Sequence, residues 1–141
     1  MRNTGKGSEA YFERYWAEMG KEAHLHRLLD LAHVRGLNPQ VKLNFPAQPA
    51  DYILTYGGYT IYCEVKSCSD KTAFPFKQIG KSQWAAATRV DAAGGLYVFY
   101  VHRVETDEWF TLPADVVLQA EKRGKASLPW NTIKHFLWVR N

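Results

Sequence analysis

Cysteine is scarce in this chain. Cys63 and Cys68 are the two among 141 residues, too few for a disulfide framework. No cluster of Cys and His surrounds them to complete the four ligands of a structural zinc site. Cys63 falls among apolar residues at alternating spacing, so a free, buried thiol is expected. Long apolar runs are also missing. None approaches the ~18 residues that cross a bilayer, and the start, Met1-Arg2-Asn3-Thr4-Gly5-Lys6, has no apolar signal core. A soluble, cytoplasmic protein without a membrane partner is expected. Repeats, low-complexity stretches and internal breaks are absent too, which leaves one domain over residues 1–141. Neither sign of charge is in large excess: the net charge is +4 and the pI about 9.1. That mild basicity is compatible with a polyanionic partner, and carboxylates gathered at a metal site would mask a basic groove in the sum.

What is present is an ordinary globular composition, 46% hydrophobic and 23% charged, which argues against disorder. Aromatics are plentiful, with five Trp and eight Tyr. They can pack a core, stack on bases or line an interface. Ser8 or its neighbour can cap a helix running to about Arg35, with Gly20 either kinking or dividing it and Gly36 closing it. Residues 40–45 alternate and read as a first strand. Residues 51–56 and 59–67 form a hairpin around Gly57-Gly58, a favoured tight-turn pair. Residues 68–77 read as a loop and 78–92 as a second helix. The nearly continuous apolar run from Leu96 to Val101 has the character of a central strand buried on both faces. Glu108 to Leu112 pairs with it, Pro113 opens a third helix to about Lys122, and 129–141 holds a short helix and then a strand. The fold class is α/β, a mixed central β-sheet flanked by helices.

The chemistry gathers at residues 49–66. Asp51 opens the first arm of the hairpin. Glu64 and Lys66, two positions apart on the second arm, share one face, while Ile61, Cys63 and Val65 share the other. Two carboxylates held together repel, and a hard divalent cation such as magnesium relieves the repulsion. Such a cation can polarise a phosphate and acidify an attacking water. Lys66 would orient that water or neutralise charge developing on the phosphorus. A surface hairpin carrying a cross-strand acid–base pair fits the same pattern, and so both readings stand at this level. An acid on the first helix would favour the metal site. Glu9 and Glu13 lie one turn apart there, and Glu13, followed by Arg14, reads as part of a solvated face.

Asp51, Glu64-Val65-Lys66 and the upstream acid resemble the PD-(D/E)xK nuclease superfamily. Within it, Asn3-x-Gly5-Lys6-x-x-Glu9, Ala50-Asp51-Tyr52, Glu64-x-Lys66, the block Lys71-Thr72-Ala73-Phe74-Pro75-Phe76-Lys77 and the later Gln83 are similar, in order and spacing, to RecU-type Holliday junction resolvases. The resemblance implies a restriction-endonuclease-like core and a homodimer that cuts four-way DNA junctions by paired symmetric nicks with Mg2+, or Mn2+ in its place. By position it implies Glu9, Asp51, Glu64 and the Val65 carbonyl as metal ligands, Lys66 as the catalytic lysine and Gln83 beside the active site. The connection from Phe45 to Pro49 is too short for the long insertion of the larger bacterial type, so a stalkless, compact form is expected. DNA-backbone contacts are expected from Lys6, Lys71, Lys77, Lys81 and Arg89, with the loop 122–125 a further basic element. Phe74 or Phe76 would wedge against bases or pack the dimer, and Phe74 is counted with the DNA contacts. A nuclease acting on flaps, ends or duplex is the alternative among enzymes, and a non-catalytic DNA-binding protein the alternative outside them.

Overall fold

The computed structural model describes residues 4–29 and 47–140. Its centre is a five-stranded mixed sheet in the order β1-β2-β3-β5-β6, formed by β1 Ala23–Arg27, β2 Tyr52–Tyr56, β3 Tyr59–Cys68, β5 Tyr97–Arg103 and β6 Glu108–Pro113. The β2–β3 and β5–β6 pairs are antiparallel and consecutive. The β3–β5 pair is parallel, with Glu64 opposite Phe99 and Lys66 opposite Val101. A parallel pair needs a crossover, and residues between Cys68 and Tyr97 supply it. They include β4 Ala73–Pro75, a 3-10 turn at Phe76–Gln78 and helix α2 Lys81–Ala92. The strand β4 pairs with β7 Ser127–Pro129 in a separate two-stranded ribbon.

Alternation along the strands gives the sheet two apolar faces. Cys63, Val65, Tyr100 and Trp109 pack with Phe12 and Trp16 of helix α1, Thr4–Ala17. On the other side Phe99, Val101, Phe110 and Leu112 pack with Phe74, Phe76, Ala87 of α2 and Val117 of α3, Ala114–Lys122. The interior strand β5, between β3 and β6, therefore feeds both cores, as its apolar run predicts. Burying each large aromatic contributes about 2 kcal/mol or more before entropy is counted, and the α1 layer holds Phe12, Trp16, Tyr52, Tyr100 and Trp109. The mixed sheet between helical layers agrees with the expected fold class. Among the described residues, no helix is long and apolar enough to cross a membrane.

The hairpin over 51–67 forms as expected, with Gly57 and Gly58 at φ 61° and 84°, the left-handed pair that a two-residue hairpin turn requires. The N-terminal region differs. The helix ends at Ala17, and Gly20 at φ 62° turns the chain out of it. Ala23-His24-Leu25-His26-Arg27 then forms the edge strand β1, where a continuing helix was expected. Ser8 lies inside α1 and does not cap it. The expected strand 40–45 lies outside the described residues. Among the described residues β1, at 23–27, and β2 are the first two strands, with residues 28–51 between them. The link from Phe45 to Pro49, on which the expectation of a stalkless form rests, lies partly outside the described residues. The loop 68–77 contains strand β4 because its aromatic side chains bury. The tail is two 3-10 turns with a single bridge from Leu137 to Phe110.

Candidate active site

Strand β3 extends beyond the start of β2, and that overhang builds the site. The Asp51 N–H donates to the Cys63 carbonyl at 3.1 Å, and the Leu28 N–H donates to the Asp51 carbonyl at 2.9 Å. The next exposed donor of β3, the Val65 N–H, has no β2 strand residue opposite it. Asp51 Oδ2 accepts it at 2.9 Å. The carboxylate is thus pinned at the mouth of the hairpin, next to the residue that follows Glu64. The Tyr97 hydroxyl donates to the Pro49 carbonyl at 2.6 Å and holds the approach to Asp51.

Glu64 projects from β3 toward α2 and is 2% exposed. Its Oε2 accepts from Gln83 Nε2 at 2.5 Å and lies 3.3 Å from Lys66 Nζ. Gln83 itself is fixed, because its Oε1 accepts the Gly80 N–H at 2.8 Å at the start of α2. Asp51, Glu64, Lys66 and Gln83 are therefore brought together on one side of the sheet. The side chain of Val65 is buried on the other.

Electrostatics follows from this packing. Burial pushes the Asp51 carboxyl up to about 6. The Val65 N–H, Lys66 and Arg27 work against that rise, and Glu9 adds to it. Burial, and then the Asp51 charge, push Glu64 up to about 8, despite Lys66. A buried and a half-buried carboxyl that resist ionising side by side are short of positive charge. Glu64 Oε1 is also buried with no hydrogen-bond partner. An orphaned carboxylate oxygen beside a second carboxylate, all donors being hard oxygens, fits a hard divalent cation. Among the described residues, no three His, Cys, Asp or Glu side chains converge on one point. The donor set that does converge is Asp51 and Glu64, with the main chain at Val65.

Glu9 comes from the α1 layer. Its Oε1 accepts from Arg27 Nη2 at 2.8 Å. The other Arg27 nitrogen, Nη1, donates to Glu13 and, at 3.1 Å, to the Tyr52 oxygen. The Tyr52 hydroxyl donates to Glu13 at 2.5 Å. Glu13 is thus part of a network and not merely a solvated helix face. Sequence reasoning missed Arg27 because it placed residues 23–27 in a helix. The alternation of Ala23, Leu25 and Arg27 with His24 and His26 after Gly20 was the available signal.

Lys6, Lys71, Lys77, Lys81 and Arg89 are all exposed. Phe74 is not: it is wholly buried between β4 and the core, and Phe76 is nearly so. Phe74 as a DNA contact is corrected to a packing residue, since a fully desolvated ring contributes more in the core than at a surface. A groove of about 1000 Å³ does not include the carboxylates in its lining. Trp84 and Phe76 line it, with Lys77, Arg89 and Lys125 at its edges. Trp84 directly follows Gln83, so the groove adjoins the site through α2. Cys63 and Cys68 are free and buried, as expected of Cys63.

A family model described as RecU, Recombination protein U, matches residues 39–138. The chain belongs to the Recombination protein U family. Among its relatives is the Holliday junction resolvase RecU of Lactococcus lactis subsp. lactis strain IL1403, 28% identical over 151 aligned residues that cover 92% of this chain and 71% of the relative. The RecU of L. lactis subsp. cremoris strain MG1363 is 31% identical over 85 residues, 59% of this chain and 40% of that protein. The solved structure of Archaeoglobus fulgidus Hjc, titled a Holliday junction resolvase from an archaeal hyperthermophile, superposes with a TM-score of 0.49 at 11% identity, covering 80% of this chain and 75% of that one.

Proposed function

We infer that this chain resolves four-way DNA junctions, acting as a homodimer that makes paired symmetric nicks with Mg2+, or Mn2+ in its place. Two lines support the reading: membership of the Recombination protein U family, whose Lactococcus relatives are named Holliday junction resolvases, and the pairing of Asp51 with Glu64 beside Lys66. The observation that carries it is the buried, unpartnered Glu64 Oε1 next to a second, half-buried carboxyl.

Asp51, Glu64 and the Val65 carbonyl would hold the cation, with Glu9 joining from α1. Bound there, a divalent cation supplies Lewis acidity to the scissile phosphate and lowers the pKa of water. The protein does the rest. The Val65 N–H fixes Asp51, and Gln83 fixes Glu64, so both carboxylates are set before the cation arrives. Lys66 Nζ, 3.3 Å from Glu64 Oε2, is in place to donate to the attacking water or to a phosphate oxygen as charge builds there. Lys77 and Arg89, with Lys6, Lys71 and Lys81, would neutralise backbone phosphates along the adjoining surface.

The test compares nicking of a four-way junction with nicking of a sequence-matched duplex, in Mg2+ and in chelator. Paired nicks in the junction that require Mg2+ are expected. Equal cleavage of both substrates rejects junction selectivity and leaves a more general PD-(D/E)xK nuclease. Binding without cleavage under all conditions leaves a DNA-binding protein.

A further inference from the structure

Ser8 and Glu64 are the two buried polar residues among those described. Glu64 belongs to the site above, and Ser8 has no role in it. Ser8 Oγ lies 2.8 Å from His102 Nδ1, and His102 Nε2 lies 2.8 Å from Asp107 Oδ1. The imidazole stacks on Trp109 with centroids 4.7 Å apart and planes 13° apart, and Trp109 stacks in turn on Tyr11 of α1. Asp107 stands in the β5–β6 turn at φ 57°, a left-handed position that Asp tolerates better than most residues.

A Ser-His-Asp set invites a hydrolytic reading, and two facts exclude it. The serine is 2% exposed, so no substrate reaches its oxygen. The ring is also reversed: serine meets Nδ1 and aspartate meets Nε2, the opposite of a nucleophilic triad. The carboxylate of Asp107 only accepts, so Nε2 carries a proton. In the neutral ring Nδ1 accepts from the Ser8 hydroxyl.

We propose that Ser8, His102 and Asp107 form a positioning relay that fixes the first turns of α1 and thereby sets the Glu9 carboxylate for the cation. This rests on Glu9 acting as a ligand. Before Phe12, Ser8 is the one buried side chain among the described residues of α1, so this end of the helix leans on the relay. Successive helix residues turn by about 100°, so anchoring Ser8 toward β5 fixes the direction in which Glu9 leaves the helix. Arg27 pulls Glu9 toward β1, at 2.8 Å. The helix end is held between the two.

The test measures Mn2+ affinity by calorimetry on DNA-free protein, beside circular dichroism and melting temperature. Glu9→Gln is the reference. His102→Gln keeps a donor for Asp107 and loses the acceptor for Ser8, whereas His102→Asn places its amide near the Nδ1 position. Ser8→Ala breaks the relay with little change of volume. Expected is a loss of roughly 10-fold in Mn2+ affinity for Glu9→Gln, His102→Gln and Ser8→Ala, as for residues that orient a ligand, with His102→Asn close to the parent. If Glu9→Gln weakens Mn2+ but Ser8→Ala does not, the relay is overturned. If His102→Asn and His102→Gln fall equally, packing explains the effect and the relay is again overturned. If Glu9→Gln leaves affinity unchanged, the Glu9 assignment fails and takes the relay with it. Should His102→Gln fail to fold, Ser8→Ala decides.

Discussion

Asp51→Asn should make the cation-free protein more stable at pH 8, although it removes an acid from the centre of the site. Asp51 titrates near 6 in the fold and near 3.8 as an ordinary side chain. Between these values the folded protein keeps a proton that the unfolded chain releases, so stability falls as pH rises through this window. Above it the full cost of ionising Asp51 is present, about 3 kcal/mol at ~1.4 kcal/mol per unit. Asparagine removes that cost, and its amide oxygen can still accept the Val65 N–H. The weaker hydrogen bond returns about 1 kcal/mol. The net gain is about 1–3 kcal/mol, a rise of roughly 3–10 °C in melting temperature for a domain of this size. Relief of the Asp51 charge on Glu64 adds in the same direction. Melts in chelator at pH 8 and pH 5 provide the assay. The variant should melt higher at pH 8, with a smaller gap at pH 5, and added Mg2+ should raise the parent more than the variant. A variant that melts below the parent at pH 8 in chelator refutes the reasoning.

Lys66→Met should abolish nicking while junction binding, followed by gel shift, stays close to the parent. Phe74→Ala should cost about 3–5 kcal/mol in denaturant unfolding, because it empties a fully buried ring site. If it instead weakens DNA binding without loss of stability, the ring is a contact after all. The pair Lys77→Ala and Arg89→Ala should lower the slope of log affinity against log salt by about 1–2, leaving the melting temperature near that of the parent.

The hairpin and its acids were legible because the signals are local. Gly57-Gly58 dictates the turn, and strand alternation puts Glu64 and Lys66 on one face whatever packs above them. The apolar run of β5 announced its own burial. The first helix was misread past Gly20 because β1 carries only the short alternation Ala23-His24-Leu25-His26-Arg27, and its pairing with β2 is non-local. That error hid Arg27, and with it the network that engages Glu9 and Glu13. Phe74 was ambiguous for another reason. Its burial depends on β7 and Trp130, more than fifty residues downstream, where the Trp130 indole donates to the Asp70 carbonyl at 3.0 Å. The His102 relay was not visible either, since Ser8 and His102 lie 94 residues apart and share no spacing rule.

The most direct test of the nuclease centre is single-turnover cleavage of a four-way junction by Glu64→Gln in Mg2+, with binding measured on the same preparation. Glutamine keeps an oxygen for Gln83 and Lys66, so the fold and the DNA surface are retained while the charge is lost. The expected result is junction binding near that of the parent with no detectable nicks. Nicking at the parental rate by this variant would contradict the assignment of Glu64, and with it the proposed site.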